Sequence, residues 1–187
     1  MTVSEGQGSP SGADEAVGRV LDDEPTPPFD GFYQREWRPI VAFGWSLVGT
    51  REAAEELAQD AFLDAFRRWD EIGRYDRPGA WLRRAVANRA TSLRRRQGTE
   101  HAGLGRLGRE RPSDARGTDD DAFWAAVRTL PERQAACVAL HYLEDRPVRA
   151  ITEVLECSPS TVKVHLHRGR RTIAERLGLD PSSDQET

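Results

Sequence analysis

The chain has 187 residues, enough for one domain or two small ones at ~100–200 residues each, and no stretch approaches the ~18 consecutive apolar residues of a membrane span. Hydrophobic residues are 37% and charged residues 31% of the total, which disfavours one large core and favours helical units with charged outer faces. The opening segment lacks the basic start and apolar run of a signal peptide, and Cys137 and Cys157 lie outside any CxxC pair, so reduced thiols in the cytoplasm are expected.

The net charge of -4 conceals opposed segments: residues 1–30 carry -6, 31–97 carry +4, 98–121 carry -2, 122–171 carry +3 and 172–187 carry -3. Residues 1–28, rich in Gly, Ser, Pro and acid, cannot bury enough apolar area to offset the entropy of ordering, and read as a disordered acidic extension. From Phe29 the apolar residues Phe32, Tyr33, Trp37, Ile40, Val41, Leu47 and Val48 recur at helical steps, with a kink or break expected at Pro39. Thr50 is placed to cap the next helix, 51–69, whose apolar stripe is Leu57, Ala58, Ala61, Phe62, Ala65, Phe66 and Trp69. Its other face carries Glu52, Glu55, Glu56, Gln59, Asp60 and Asp64, which by itself fits a solvated face aided by the helix dipole. A loop over 70–78 follows, then a helix marked by Trp81, Leu82, Ala85, Val86 and Leu93 that ends in Arg94–Arg95–Arg96. Trp69 and Trp81 fit a bundle core, whereas Tyr75, in a polar loop, is less easily explained by packing.

Residues 98–121 have linker composition and, fully extended at ~3.3–3.6 Å each, reach at most roughly 80 Å. Phe123, Val127 and Leu130 open a second helical block, Pro131 and Pro147 each start a helix, and nothing reads as a strand. Ser158 is a good N-cap and Pro159 a good first residue for the last helix, which turns Val162, Leu166, Gly169, Ile173 and Leu177 inward. Its outward side carries Ser160, Val164, His167, Arg168 and Arg171, flanked by Lys163 and His165. A short helix, a turn at 156–158 and a helix bearing donors and cations near its start form a helix-turn-helix pattern, whose second helix fits a DNA major groove. An ordinary surface helix of a small bundle has the same periodicity. Gly103–Gly108 spells GxGxxG without a preceding strand, and His165 and His167 point ~200° apart on a helix, so neither a dinucleotide site nor a metal site is expected. No catalytic acid-base pair or nucleophile elbow is present, and no cofactor is expected.

The segment Ala54–Phe66, followed by Trp81–Asn88, resembles the promoter-melting domain of the extracytoplasmic-function group of sigma-70 family factors. Leu130–Gln134, Tyr142–Asp145 and Ser160–Arg170 are similar to that group's second domain. The resemblance implies an all-α protein of two small helical domains joined by a flexible linker: 29–97 as sigma-70 region 2, 98–121 as linker and 122–177 as the region 4 helix-turn-helix, before an acidic tail at 178–187. It implies a non-enzymatic subunit that joins core RNA polymerase at its clamp and flap, selects promoter DNA, and is restrained by an anti-sigma factor. Glu55, Glu56, Gln59, Asp60 and Phe62 would dock on polymerase; Ile72, Gly73, Arg74, Tyr75, Asp76 and Asn88 would receive a flipped base of the -10 element. Ser160, Thr161, Lys163, Val164, His165, His167, Arg168 and Arg171 would read the -35 element. A stand-alone helix-turn-helix regulator and a sigma-like decoy for an anti-sigma factor are the alternatives. Glu156 replaces the usual turn glycine, Thr152 a usual Ala and Ser92 a frequent Asp; Glu156 would be strained at a positive φ.

Overall fold

The structure, a computed structural model, describes residues 26–103 and 119–179. Among them are eight helices: α1 (Phe29–Val48), α2 (Arg51–Arg67), α3 (Trp69–Ile72), α4 (Pro78–Gly103), α5 (Asp119–Val127), α6 (Glu132–Tyr142), α7 (Val148–Leu155) and α8 (Pro159–Leu177). The GxGxxG segment beyond Gly103 lies outside the described residues.

Local chemistry sets the helix ends. Gly49 closes α1 in the left-handed conformation at φ 86°, its N–H donating to the Trp45 carbonyl at 2.8 Å. Thr50 then caps α2, its hydroxyl accepting from the Ala53 N–H at 3.4 Å. The α1–α2 hairpin brings Gly44 against Ala54, where an added Cβ would meet the Ala54 backbone at 3.4 Å, about ordinary van der Waals contact. With α4 these helices bury Phe32, Ile40, Phe43, Leu57, Leu82 and Val86. Helices α5 to α8 enclose Val127, Leu130, Val138, Leu140, Ile151, Val154, Val162 and Ile173. The two bundles pack directly on each other through α4 with α7 and α1 with α6, and their buried residues form one continuous apolar cluster.

Three expectations are corrected; at Pro39, where a kink or a break was expected, helix α1 runs on without a break. A proline inside a helix costs ~3 kcal/mol, and burial of a large apolar side chain returns ~1.5–3 kcal/mol; Ile40, Phe43 and Leu47, all beyond Pro39, are buried. The helix read as 51–69 ends at Arg67, and the segment after it turns again as α3 where a loop was expected. Helix α4 passes the arginine triplet and continues to Gly103, into the expected linker. Phe66, placed on the buried stripe of α2, is 59% exposed: among the described rings its own meets only the edge of Phe29 at 5.1 Å, while Ala65 beside it takes the buried side of that turn.

Helix α8 reaches α6 across Gly169, where an added Cβ would lie 2.8 Å from Val138 Cγ2. Gly169→Ala therefore lowers unfolding stability by ~1–3 kcal/mol in urea denaturation, and the added Val138→Ala change recovers part of that loss.

Candidate nucleic-acid interface

The helix-turn-helix is built from the end of α7 and the start of α8. Glu156 takes the left-handed conformation (φ 48°, ψ 55°) that the turn requires. All four terminal carbonyls of α7 have donors: Thr152 O takes the Glu156 and Cys157 N–H groups, Glu153 O and Val154 O take Arg84, and Leu155 O takes Arg133 at 3.2 Å. Ser158 Oγ accepts from the Thr161 N–H at 3.1 Å and starts α8, with Pro159 as its first residue.

On α8, Val162, Leu166, Gly169 and Ile173 are buried, and Ser160, Lys163, Val164, His167, Arg168 and Arg171 are exposed. Thr161 and His165 are half-buried at the margins. Arg171 forms an exposed pair with Glu175 at 3.7 Å; among the described residues no ion pair engages Lys163 or Arg168. A cationic and polar stripe with Val164 at its centre is a surface able to meet guanine edges, phosphates and a thymine methyl. His165 is different. Its Nδ1 is buried without a partner, and burial, followed by the charges of Arg133 and Arg168, holds its pKa below the ordinary 6.5. It is therefore neutral at pH 7 and adds no charge to the stripe.

In the first bundle, Glu56, Gln59 and Asp60 are exposed on α2, and no ion pair among the described residues engages Glu56 or Asp60. Glu55 is held by Arg51 at 2.7 Å, and Asp64 pairs with Arg89 and Arg67. Phe62 is not on this face: it is 3% exposed, its ring 4.9 Å from Tyr33 and 5.8 Å from Trp37, and belongs to the core. The apolar groups that reach solvent nearby are Tyr33, Leu63 and Phe66. The signal for Leu63 was its position in step with Glu56, Gln59 and Asp60, an apolar residue on the acidic face.

The segment expected to take a base is mostly core. Ile72, Gly73 and Tyr75 are buried, the Tyr75 hydroxyl donating to Glu71 Oε1 at 2.7 Å, because α3 folds the chain back beneath Trp69. This packing accounts for Tyr75, contrary to the sequence reading. Arg74 and Asp76 are the exposed members. The chain leading into α1 crosses here: Trp69 Nε1 donates to Pro27 O at 2.7 Å and Arg74 Nε to Thr26 Oγ1 at 3.2 Å. Asn88 is exposed on α4 and lines a crevice between the bundles with Arg84, Arg94, Arg95, Arg133 and Glu156, which residues 72–76 do not line. Both cysteines are free, and burial pushes the Cys137 thiol up to about 12 and that of Cys157 up as well, so neither is a thiolate at neutral pH. Among the described residues no group of three or more His, Cys, Asp or Glu side chains is placed to hold a metal, and no helix is long and apolar enough to cross a membrane.

Two family models match in chain order: sigma-70 region 2 over residues 32–100 and sigma-70 region 4 over residues 120–173. The ECF RNA polymerase sigma factor BldN of Streptomyces coelicolor is 30% identical over 161 residues, covering 81% of this chain and 61% of that protein. SigW of Bacillus subtilis, also an ECF RNA polymerase sigma factor, is 24% identical over 154 residues, covering 74% of this chain and 82% of that protein. The solved sigma factor RpoE from Bartonella quintana, in complex with the anti-sigma factor NepR, shares the fold at a TM-score of 0.63 and 24% identity, covering 81% of this chain and 98% of that one. An all-α chain with an outward-facing helix-turn-helix, matched over both regions, defines a class of DNA-binding transcription initiation factor. The chain belongs to the extracytoplasmic-function group of the sigma-70 family of RNA polymerase sigma factors.

Because the folded pKa of His165 is depressed, the unfolded chain takes up its proton first, and stability is lost as pH falls below about 6.5. Urea titrations at pH 7.5 and pH 5.5 are expected to show that loss, with a smaller loss in His165→Gln.

Proposed function

We propose that this protein joins core RNA polymerase through α2 and places the polymerase on promoters by reading a -35 element with α8 and a -10 element beside α3 and α4. It acts in the cytoplasm and catalyses no reaction itself. The observation that carries the reading is the division of labour between two exposed faces: an acidic α2 whose Glu56 and Asp60 are engaged by no ion pair among the described residues, and a cationic α8 with Lys163 and Arg168 in the same condition. Carboxylates left in water beside the apolar Leu63 and Phe66 suit a protein partner and repel DNA; the α8 stripe has the opposite preference.

Residues 29–103 are assigned as region 2, 119–177 as region 4, and the linker is narrowed from 98–121 to the residues between them. Polymerase docking falls to Glu56, Gln59 and Asp60 with the exposed Leu63 and Phe66, Glu55 serving at the edge and Phe62 supporting from the core. For the -35 element, Ser160, Lys163, Val164, His167, Arg168 and Arg171 face the groove, with Thr161 and His165 at its margin. For the -10 element, Arg74, Asp76 and Asn88 are exposed; Ile72, Gly73 and Tyr75 shape the segment that presents them. An anti-sigma partner fits as well, since the similar RpoE chain was solved with NepR.

Run-off transcription from randomised promoter pairs, with purified core polymerase, tests the reading: transcripts are expected only when the protein is added, from one enriched pair of elements. Polymerase binding with no transcript would favour a decoy, and specific DNA binding that needs no polymerase a stand-alone regulator. Arg168→Ala is expected to cost ~1–3 kcal/mol and to relax preference at one -35 position in the same assay, whereas a phosphate contact would weaken all sequences equally. Asp60→Arg is expected to abolish co-purification with core polymerase while leaving the far-ultraviolet dichroism of the chain unchanged.

A further inference from the structure

Composition alone assigns Thr26, Pro27 and Pro28 to a disordered extension, yet Thr26 and Pro27 lie across the first bundle at α3. Pro28 is extended at φ -58° and ψ 132°, and the Phe29 ring that follows packs edge-on against Trp69 at 5.1 Å. This strap is tied at two points. Trp69 Nε1 donates to Pro27 O at 2.7 Å, and Arg74 Nε donates to Thr26 Oγ1 at 3.2 Å. Between these two donors in sequence is Gly73, where an added Cβ would stand 2.6 Å from Thr26 Cγ2 and 2.8 Å from Trp69 O. The missing side chain leaves the room that Thr26 fills. Pro25, Pro27 and Pro28 restrict the chain before it docks, so ordering it loses less entropy than ordering other residues would.

The contacts of the strap give it a role. Arg74 is an exposed member of the segment assigned to the -10 element, and Ile72 and Tyr75, both buried, fix the backbone on either side of it. Its long side chain is what still needs a restraint. Thr26 supplies one at Nε, while among the described residues no hydrogen bond or ion pair takes the two Nη groups. A guanidinium fastened at Nε keeps its outer edge for a second partner, and that edge matches two acceptors side by side, as on guanine O6 and N7 or a phosphate. A valine at position 26 would fill the same space beside Gly73. The distinct contribution of the threonine hydroxyl is therefore its bond to Arg74.

We propose that Thr26, held in place through Pro27, is a positioning residue for the -10 element: it orients the Arg74 guanidinium so that the free edge meets a pair of acceptors on the promoter strand. The role rests on the -10 reading given above. Ordering one arginine side chain before binding is equivalent to roughly three- to tenfold in affinity.

Two measurements on the full chain test this. In the free protein, heteronuclear NMR follows exchange of the Arg74 Nε proton with water. Exchange is expected to be slower than at other exposed arginines, to speed up in Thr26→Val, which keeps the shape without the hydroxyl, and to stay slow in Thr26→Ser. Equal, fast exchange in all three forms would overturn the proposal. In the holoenzyme with core polymerase, binding is read on forked DNA whose single-stranded segment is randomised. Thr26→Val is expected to bind about three- to tenfold more weakly, Thr26→Ser to recover most of that loss, and Thr26→Val added to Arg74→Ala to weaken binding no further. Preference lost at one position in both Thr26→Val and Arg74→Ala supports the proposal with a base as the acceptor, and equal weakening of all sequences supports it with a phosphate. Additive losses, or a Thr26→Val holoenzyme that binds as the unaltered one does, would overturn it. If the NMR result holds while no form of the holoenzyme enriches any sequence, the -10 reading itself fails, and the positioning role falls with it.

Discussion

Two neighbouring arginines on one helix, Arg83 and Arg84, determine how the halves of this molecule meet. Side chains adjacent in a helix point about 100° apart, so one guanidinium turns toward α1 and the Glu144 corner and the other toward the end of α7. For Arg83, burial works against the charge, yet Glu144 and Glu36 more than offset it and its pKa stays raised. A lysine would supply charge but not the planar fork by which Arg84 takes two carbonyls and a carboxylate at once. Removing either acceptor wall would strand a buried cation, which is why the bundle contact and the helix-turn-helix geometry are physically one feature.

The rest of the charge is arranged around that contact. Helix α2 presents acids near its amino end, where the helix dipole favours them, and α8 presents cations and hydroxyls beyond its Ser158 cap. A net charge of -4 therefore coexists with a basic recognition helix because the signs are separated in space. The arginines between these faces are neutralised internally. The stripe of α8 and the exposed acids of α2 are the two faces whose charge acts at a distance on a partner.

Local rules made much of this legible. The helices of the second bundle follow from Pro131, Pro147, Ser158 and Pro159 at their starts and from apolar residues at three and four residue steps, and the outward stripe of α8 follows from the same spacing. The Glu156 strain was readable too, because a turn needing a positive φ is a property of a few consecutive residues. Phe66, Ile72, Gly73 and Tyr75 lie otherwise than the sequence reading placed them, for a shared reason. Whether an aromatic or aliphatic side chain near a helix end is covered depends on which distant element lies over it, and periodicity carries no such information.

What the sequence determined by itself is an all-helical chain with a helix-turn-helix and opposed charge segments, because helix formation, capping and amphipathic spacing act over a few residues. Only the tertiary structure decided that Tyr75 is core, that Leu63 and Phe66 are surface, and that Glu156 answers Arg84 across 72 positions of sequence. The physical reason is the range of the forces involved: burial and ion pairing in a low-dielectric contact depend on neighbours in space, and those neighbours exist only once both bundles have packed.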